Sequence, residues 1–193
     1  FTEYFHAAIY HRDRGDETEA AQLMLTAREL LLEFEKYDPF KRDTQINLFQ
    51  TDVALTQWGY PEYAEQAVDR SKKIIDRYPA YPFLISIIAT NMTLIGIHDL
   101  AIDYAERAIN VESVTKPWAK AWYAKGRALN QLGHLEESIY ALNTAIEKQP
   151  GSEGAIYAHK FLSQIYLNRG KPGDQELFRF HKHKSEEPIT TQE

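Results

Sequence analysis

Four glycines, Gly59, Gly96, Gly133 and Gly170, stand 37 residues apart, and Gly15 precedes them by one longer interval of 44. A fixed period of this length constrains a chain more than its composition does. It calls for one supersecondary unit repeated, each copy burying its apolar face against the next. Eleven residues before the glycines stand Tyr4, Leu48, Ile85, Trp122 and His159, and four before them His11, Leu55, Met92, Leu129 and Tyr166. Five residues after them come Ala20, Ala64, Ala101, Ser138 and Gln175, and twelve after them Ala27, Ser71, Ala108, Ala145 and Lys182. Large side chains before the turn and small ones after it suit two antiparallel helices whose ridges pack closely. Each unit is therefore predicted to be a helical hairpin.

Turn chemistry agrees. A glycine can take the left-handed conformation that ends a helix, and Pro61, Pro82, Pro117 and Pro172 fall where a following helix should open. Pro39, Pro79 and Pro150 fall between units. The pattern predicts an all-α chain with units at about 1–34, 45–78, 82–115, 119–152 and 156–183, a single solenoid over 1–184 and a disordered tail over 185–193.

The stretch Ala121-Trp122-Tyr123-Ala124-Lys125-Gly126, continued by Gly133, Ser138, Leu142, Ala145 and Pro150, resembles a tetratricopeptide repeat (TPR). The other units share its register, so the resemblance covers nearly the whole chain. It implies a right-handed alpha-alpha superhelix of about five hairpins, whose first helices line a concave groove that holds a protein or peptide. Two departures stand out. Asp52 occupies the position of Gly126, which should be small and close-packed, so the second unit is expected to be locally distorted. In the last unit Gln175, Arg179 and Lys182 replace small or apolar residues, as suits a terminal helix (about 172–183) that presents its outer face to water. The connection Glu35 to Thr44, with Tyr37-Asp38-Pro39-Phe40, accounts for the longer first interval and predicts a different packing angle or an extra turn for the first hairpin.

Counting back from each glycine places Phe5, Ile9, Phe49, Val53 and Phe83 on the groove face of the first half, and Lys120, Tyr123, Arg127, Asn130, Tyr157 and Lys160 on that of the fourth and fifth units. Phe5, Phe49, Lys120, Tyr123, Arg127, Asn130, Tyr157 and Lys160 are the candidate partner-binding residues, with core packing the alternative for the phenylalanines and simple solvation the alternative for the cations. Arg offers carboxylate a planar fork and Lys a mobile charge, so the basic end points to a ligand with a carboxylate or an acidic segment. Some TPR domains grip chaperone tails with a two-carboxylate clamp. That arrangement is not reproduced, because Ala124 stands where an Arg should follow Lys120 and Ile87 where an Asn is needed.

Other chemistry finds little support. There is no Cys, and none of GxxxxGK[ST], GxSxG or HExxH occurs, so no catalytic, cofactor-binding or metal site is expected. His181-Lys182-His183 is the best metal candidate, but its two imidazoles point to different faces of a helix. The sequon Asn91-Met92-Thr93 falls inside a predicted helix. The formal charge of −6 argues against nucleic acid, and nine of the acidic against four of the basic residues lie within positions 1–40. The apolar run Phe83 to Ile97 is too short to span a bilayer and reads as a core helix. Two further readings follow from context. Because the sequence starts at Phe1, the chain is expected to be part of a longer protein, and it is similar to the soluble TPR region of membrane proteins of the O-antigen polymerase and ligase type. That resemblance implies an extracytoplasmic domain assisting glycan assembly, against a cytoplasmic location otherwise. An apolar N-terminal hairpin with Leu30-Leu31-Leu32 also allows a homodimer.

Overall fold

The computed structural model describes residues 1–111 and 118–190, apart from the side chain of Trp118. Pro117 and the last three residues of the tail lie outside the described residues. Among the described residues there are ten α-helices, a short 3-10 turn and no strand. The helices are α1 (Thr2–Asp13), α2 (Glu17–Tyr37), α3 (Arg42–Gln57), α4 (Ala64–Arg77), α5 (Pro82–Leu94), α6 (His98–Asn110), α7 (Trp118–Gln131), α8 (Leu135–Lys148), α9 (Glu153–Arg169) and α10 (Asp174–Lys184). They pair as five hairpins. The repeat glycines all have positive φ, from 63° at Gly170 to 97° at Gly59, and an added Cβ at any of them would meet nothing within 4 Å. Their role is conformational, allowing the chain to reverse, rather than steric.

The hairpins fall into two compact units, Phe1–Tyr78 and Pro79–Glu193. In the first, Ala8 of α1, Met24 of α2 and Leu55 of α3 form a buried cluster flanked by Phe5, Leu23, Trp58 and Tyr63. The long connection is absorbed mainly by α2, which runs to 21 residues against 14 in α4, and ends in a short turn in which the Lys41 N–H donates to the Asp38 carbonyl at 3.3 Å. In the second unit α5, α7 and α9 lie side by side, with α6, α8 and α10 packed behind them. Its core holds Tyr123, Leu142, Ala145, Leu162, Ile165 and Tyr166, with Trp122, Phe161 and Phe178 packed against it. α5 buries Leu84, Ile85, Ile88, Ala89 and Met92, the core role expected of the Phe83–Ile97 run. No helix of the described residues is long and apolar enough to cross a membrane.

The small positions behave as the repeat requires. Ala20, Ala27, Ser71, Ala101, Ser138 and Ala145 are fully buried, Ala64, the first residue of α4, is only half-buried, and the Ser138 hydroxyl donates to the Gly126 carbonyl at 2.6 Å. The tightest approach is between hairpins of the second unit. At Gly154, near the start of α9, an added Cβ would lie 2.5 Å from the Lys120 nitrogen and 2.6 Å from the Ala119 carbonyl carbon of α7. Backbone cannot step aside as a side chain can. Gly154→Ala is expected to cost roughly 2–3 kcal/mol in urea denaturation, the upper part of the range for overpacking; a cost under about 0.5 kcal/mol would show that α7 and α9 pack less closely.

The second unit departs from the repeat at Pro61–Tyr63, a 3-10 turn ahead of α4, and not within the helix that carries Asp52. α3 runs unbroken past Asp52. Asp52 is 0% exposed and accepts hydrogen bonds from Arg28 Nε of α2 at 2.6 Å and Arg70 Nε of α4 at 3.2 Å. Arg70 also donates to Glu35 at 2.9 Å and Gln45 at 3.1 Å, and Arg28 bonds Gln66 and lies over the Tyr63 ring. Three helices of the first unit are joined by one buried acid.

The last hairpin shows the expected polar outer face, with Gln175, Arg179 and Lys182 exposed. Its final helix starts at Asp174, two residues later than the sequence suggests, because Gly173 takes φ 88° and Asp174 is fixed from behind. Arg169 grips its carboxylate with two bonds of 3.0 and 2.7 Å, and the Lys171 N–H donates to it at 2.8 Å. These donors hold the Asp174 carboxyl below the usual carboxylate range, Arg169 contributing most. Beyond α10 the Thr190 N–H donates to the Gly151 carbonyl at 2.9 Å.

Candidate functional site

The inner helices of the second unit bring part of the expected binding set together. Tyr123 and Arg127, one turn apart on α7, and Tyr157 and Lys160, three residues apart on α9, line one groove of about 410 Å3 with Thr90 and Leu94 of α5 and Phe161 and Gln164 of α9. The i, i+3 and i, i+4 spacings put these side chains on one face of each helix. A second depression of about 400 Å3 begins at Asn130 and shares Phe161 and Gln164 with the first.

The cations of this set are not equivalent. Lys120 donates to Glu153 at 2.9 Å and lies 5.0 Å from the centre of the Phe83 ring. Tyr157 donates its hydroxyl to the other oxygen of Glu153 at 2.8 Å. The Glu153 carboxyl is accordingly held below its ordinary value, first by the bond from Lys120, against the opposing effect of burial. Lys120 is thus occupied inside the protein. Among the described residues Arg127 reaches only the Tyr123 hydroxyl, at 3.5 Å, and lies over the Phe161 ring at 5.9 Å. Lys160 is exposed, and among the described residues neither it nor Arg127 has a carboxylate within ion-pair distance.

The aromatic residues divide as well. Tyr157 is 43% exposed, and the Tyr123 ring stands 5.7 Å from it and 6.5 Å from Phe161. These rings make a wall against which a flat or apolar group can lie. Phe5 is half-buried and belongs to the first unit's cluster. Phe49, expected to face a groove, is 1% exposed; it is a core residue, its ring consumed by packing before any ligand could reach it. Phe161 and Leu94 were not among the expected contacts. They stand nine residues before Gly170 and two before Gly96, outside the helical positions counted back from the turn.

The histidines gather elsewhere. His159 of α9 and His181 of α10 meet Nδ1 to Nδ1 at 2.8 Å, both buried, and His181 stacks on Tyr166 at 5.5 Å. At this distance one nitrogen donates and the other accepts, so at most one of the two rings can carry a charge. Burial, followed by the neighbouring His159, pushes His181 down to about 4. Among the described residues no three His, Asp or Glu side chains are placed to hold a metal ion.

No protein-family profile and no curated protein matches the chain. Solved structures do. A crystal structure of MamA superposes with a TM-score of 0.59 at 22% identity, covering 93% of this chain and 94% of that one. MamA from AMB-1 gives 0.58 at 16% identity over 95% and 98%. The APC/C hetero-tetramer Cut9-Hcn1 gives 0.50 at 17% identity, with 94% of this chain covering 38% of that one. The fold is therefore that of the TPR-like helical-hairpin proteins. These likenesses lend nothing to the O-antigen polymerase and ligase resemblance.

Proposed function

We propose that this chain, with its TPR-like fold, is a non-catalytic scaffold that holds an acidic peptide segment of a partner protein in the groove between α5, α7 and α9. The observation that carries the reading is the contrast between the cations. Lys120 is matched by Glu153, whereas Arg127 and Lys160 flank an aromatic-walled groove with no acid among its described lining residues. An incoming carboxylate would supply that acid. A charge-assisted bond to such a group contributes about 1.5–3 kcal/mol, and Tyr157 and Phe161 would add apolar contact. Binding energy would concentrate in these few anchors.

The experiment is capture of partners from lysate of the source organism by the wild-type chain and by Arg127→Glu with Lys160→Glu, after matching their circular dichroism. The expected result is loss of a partner whose bound segment is acidic. Identical partners in both captures would overturn the groove reading. A TPR-like scaffold with protein partners agrees with the fold.

A further inference from the structure

A cavity of about 640 Å3 in the first unit is bounded by Pro39 and Phe40 of the α2–α3 connection and by Lys73, Ile74, Arg77 and Tyr78 at the end of α4. Its outer wall comes from the segment that breaks the 37-residue period. The repeat alone does not supply Pro39 and Phe40 at a hairpin junction; the longer interval does.

The charges around it form an unfinished series. Gln66, Arg70, Lys73 and Arg77 follow one another at four, three and four residues, and so lie in one row along α4. The row is matched by acids at its start: Arg70 bonds Asp52 and Glu35. Lys73 acts on Glu35 from a distance, and this carboxylate is already held by Gln45 and Arg70. At Arg77 the acids end. Its guanidinium lies 4.4 Å from the centre of the exposed Phe40 ring, and among the described residues neither Arg77 nor Lys73 has a carboxylate within ion-pair distance. Of the two acids in the lining, Glu35 is engaged by Arg70 and Gln45 and Asp76 is adjacent to Arg77 in sequence without pairing with it, which leaves both cations able to take an incoming carboxylate. A guanidinium stacked on a ring keeps its in-plane donors free for a carboxylate.

We propose that this cavity binds a small carboxylic acid with an apolar body, its carboxylate between Lys73 and Arg77 and its body against Phe40, Ile74 and Tyr78. The volume lies within the range of small-ligand pockets, and the apolar walls with a few converging donors are the composition such sites have. The site is separate from the groove of the second unit and does not depend on what that groove holds.

The test uses the full chain, labelled with 15N, titrated with 3-phenylpropanoate, the neutral 3-phenylpropanamide and the cationic 3-phenylpropylammonium. The expected result is saturable shifts of the Phe40, Gln45, Lys73, Arg77 and Tyr78 amides with the carboxylate, and at least tenfold weaker binding of the amide and the ammonium compound. Lys73→Gln with Arg77→Gln, which leaves Arg70 and its acids in place, is expected to weaken the carboxylate at least tenfold while its remaining amide spectrum stays dispersed. Absence of saturable shifts, shifts centred on Arg127 and Lys160, equal binding of the amide, or unchanged affinity in the double variant would each overturn the proposal.

Discussion

Asp52→Ala is expected to lower the stability of the first unit by about 3–5 kcal/mol, the cost of breaking a buried charge network by removing one side of it. Two guanidiniums, Arg28 and Arg70, each little exposed, would lose the acid that both point to. Burial itself works against the carboxylate. It outweighs the two arginines and leaves the Asp52 carboxyl above its ordinary value, so the network is held together by geometry and mutual need more than by a large net gain. That distinction yields a second measurement. Asp52→Ala combined with Arg28→Met, Arg70→Met and Glu35→Gln removes all four charges of the network, the Arg70 partner Glu35 included, and is expected to recover most of the loss, since the Met side chains replace the buried arginine stems. Hydrogen exchange of the α2, α3 and α4 amides reads the effect within the first unit, where a global denaturation curve could mix hairpins that unfold separately. A single-variant loss under about 1 kcal/mol would contradict the account.

Acidification is expected to loosen the last hairpin through the His159–His181 pair. The fold holds both rings neutral. His181 is depressed from 6.5 to about 4, by burial first and by His159 second, and His159 is lowered by burial and then by Lys184, with Glu187 opposing. The unfolded chain binds protons that the folded chain refuses. The stabilisation is therefore complete above about pH 6.5 and falls away as pH drops from there toward 4. For His181 alone a depression of this size corresponds to about 3 kcal/mol at the low end of that range. Tyr166 stacks on His181, Phe180 packs edge-on to both rings, and Asn143 and Glu147 of α8 line the same cavity. Exchange of the α10 amides at pH 7 and pH 4.5 measures the loosening. His159→Leu with His181→Phe is expected to show a much flatter pH response over this interval; an equal response would assign the sensitivity to other groups.

The architecture was legible because it rests on short, local signals. Positive φ at a turn calls for glycine, close helix contact calls for Ala or Ser, and both recur at a fixed period whatever the surrounding residues are. The site was legible only in part. Tyr123, Arg127, Tyr157 and Lys160 fall on one groove because the helical register carries them there. Lys120 obeys the same register, yet Glu153, 33 residues away, occupies it. Polar pairing of this kind has no period. Asp52 meets Arg28 across 24 residues and Arg70 across 18, and His159 meets His181 across 22; no helical spacing connects any of these. Phe49 followed the groove count and went to the core instead, because register assigns a face to a residue and packing decides whether that face is open. The Tyr37–Phe40 insertion was visible as a break in the period, whereas the cavity it walls depends on where α4 ends.

The central claim, that the second unit's groove takes an acidic segment, is tested most directly by selecting peptides from a random display library on the wild-type chain and mapping the strongest binder by amide shifts. The account predicts peptides rich in Asp and Glu, shifts centred on Tyr123, Arg127, Tyr157 and Lys160, and at least tenfold weaker binding to Arg127→Glu with Lys160→Glu. Selected peptides that are neutral or basic, or an acidic peptide bound equally by the charge-reversed chain, would contradict it.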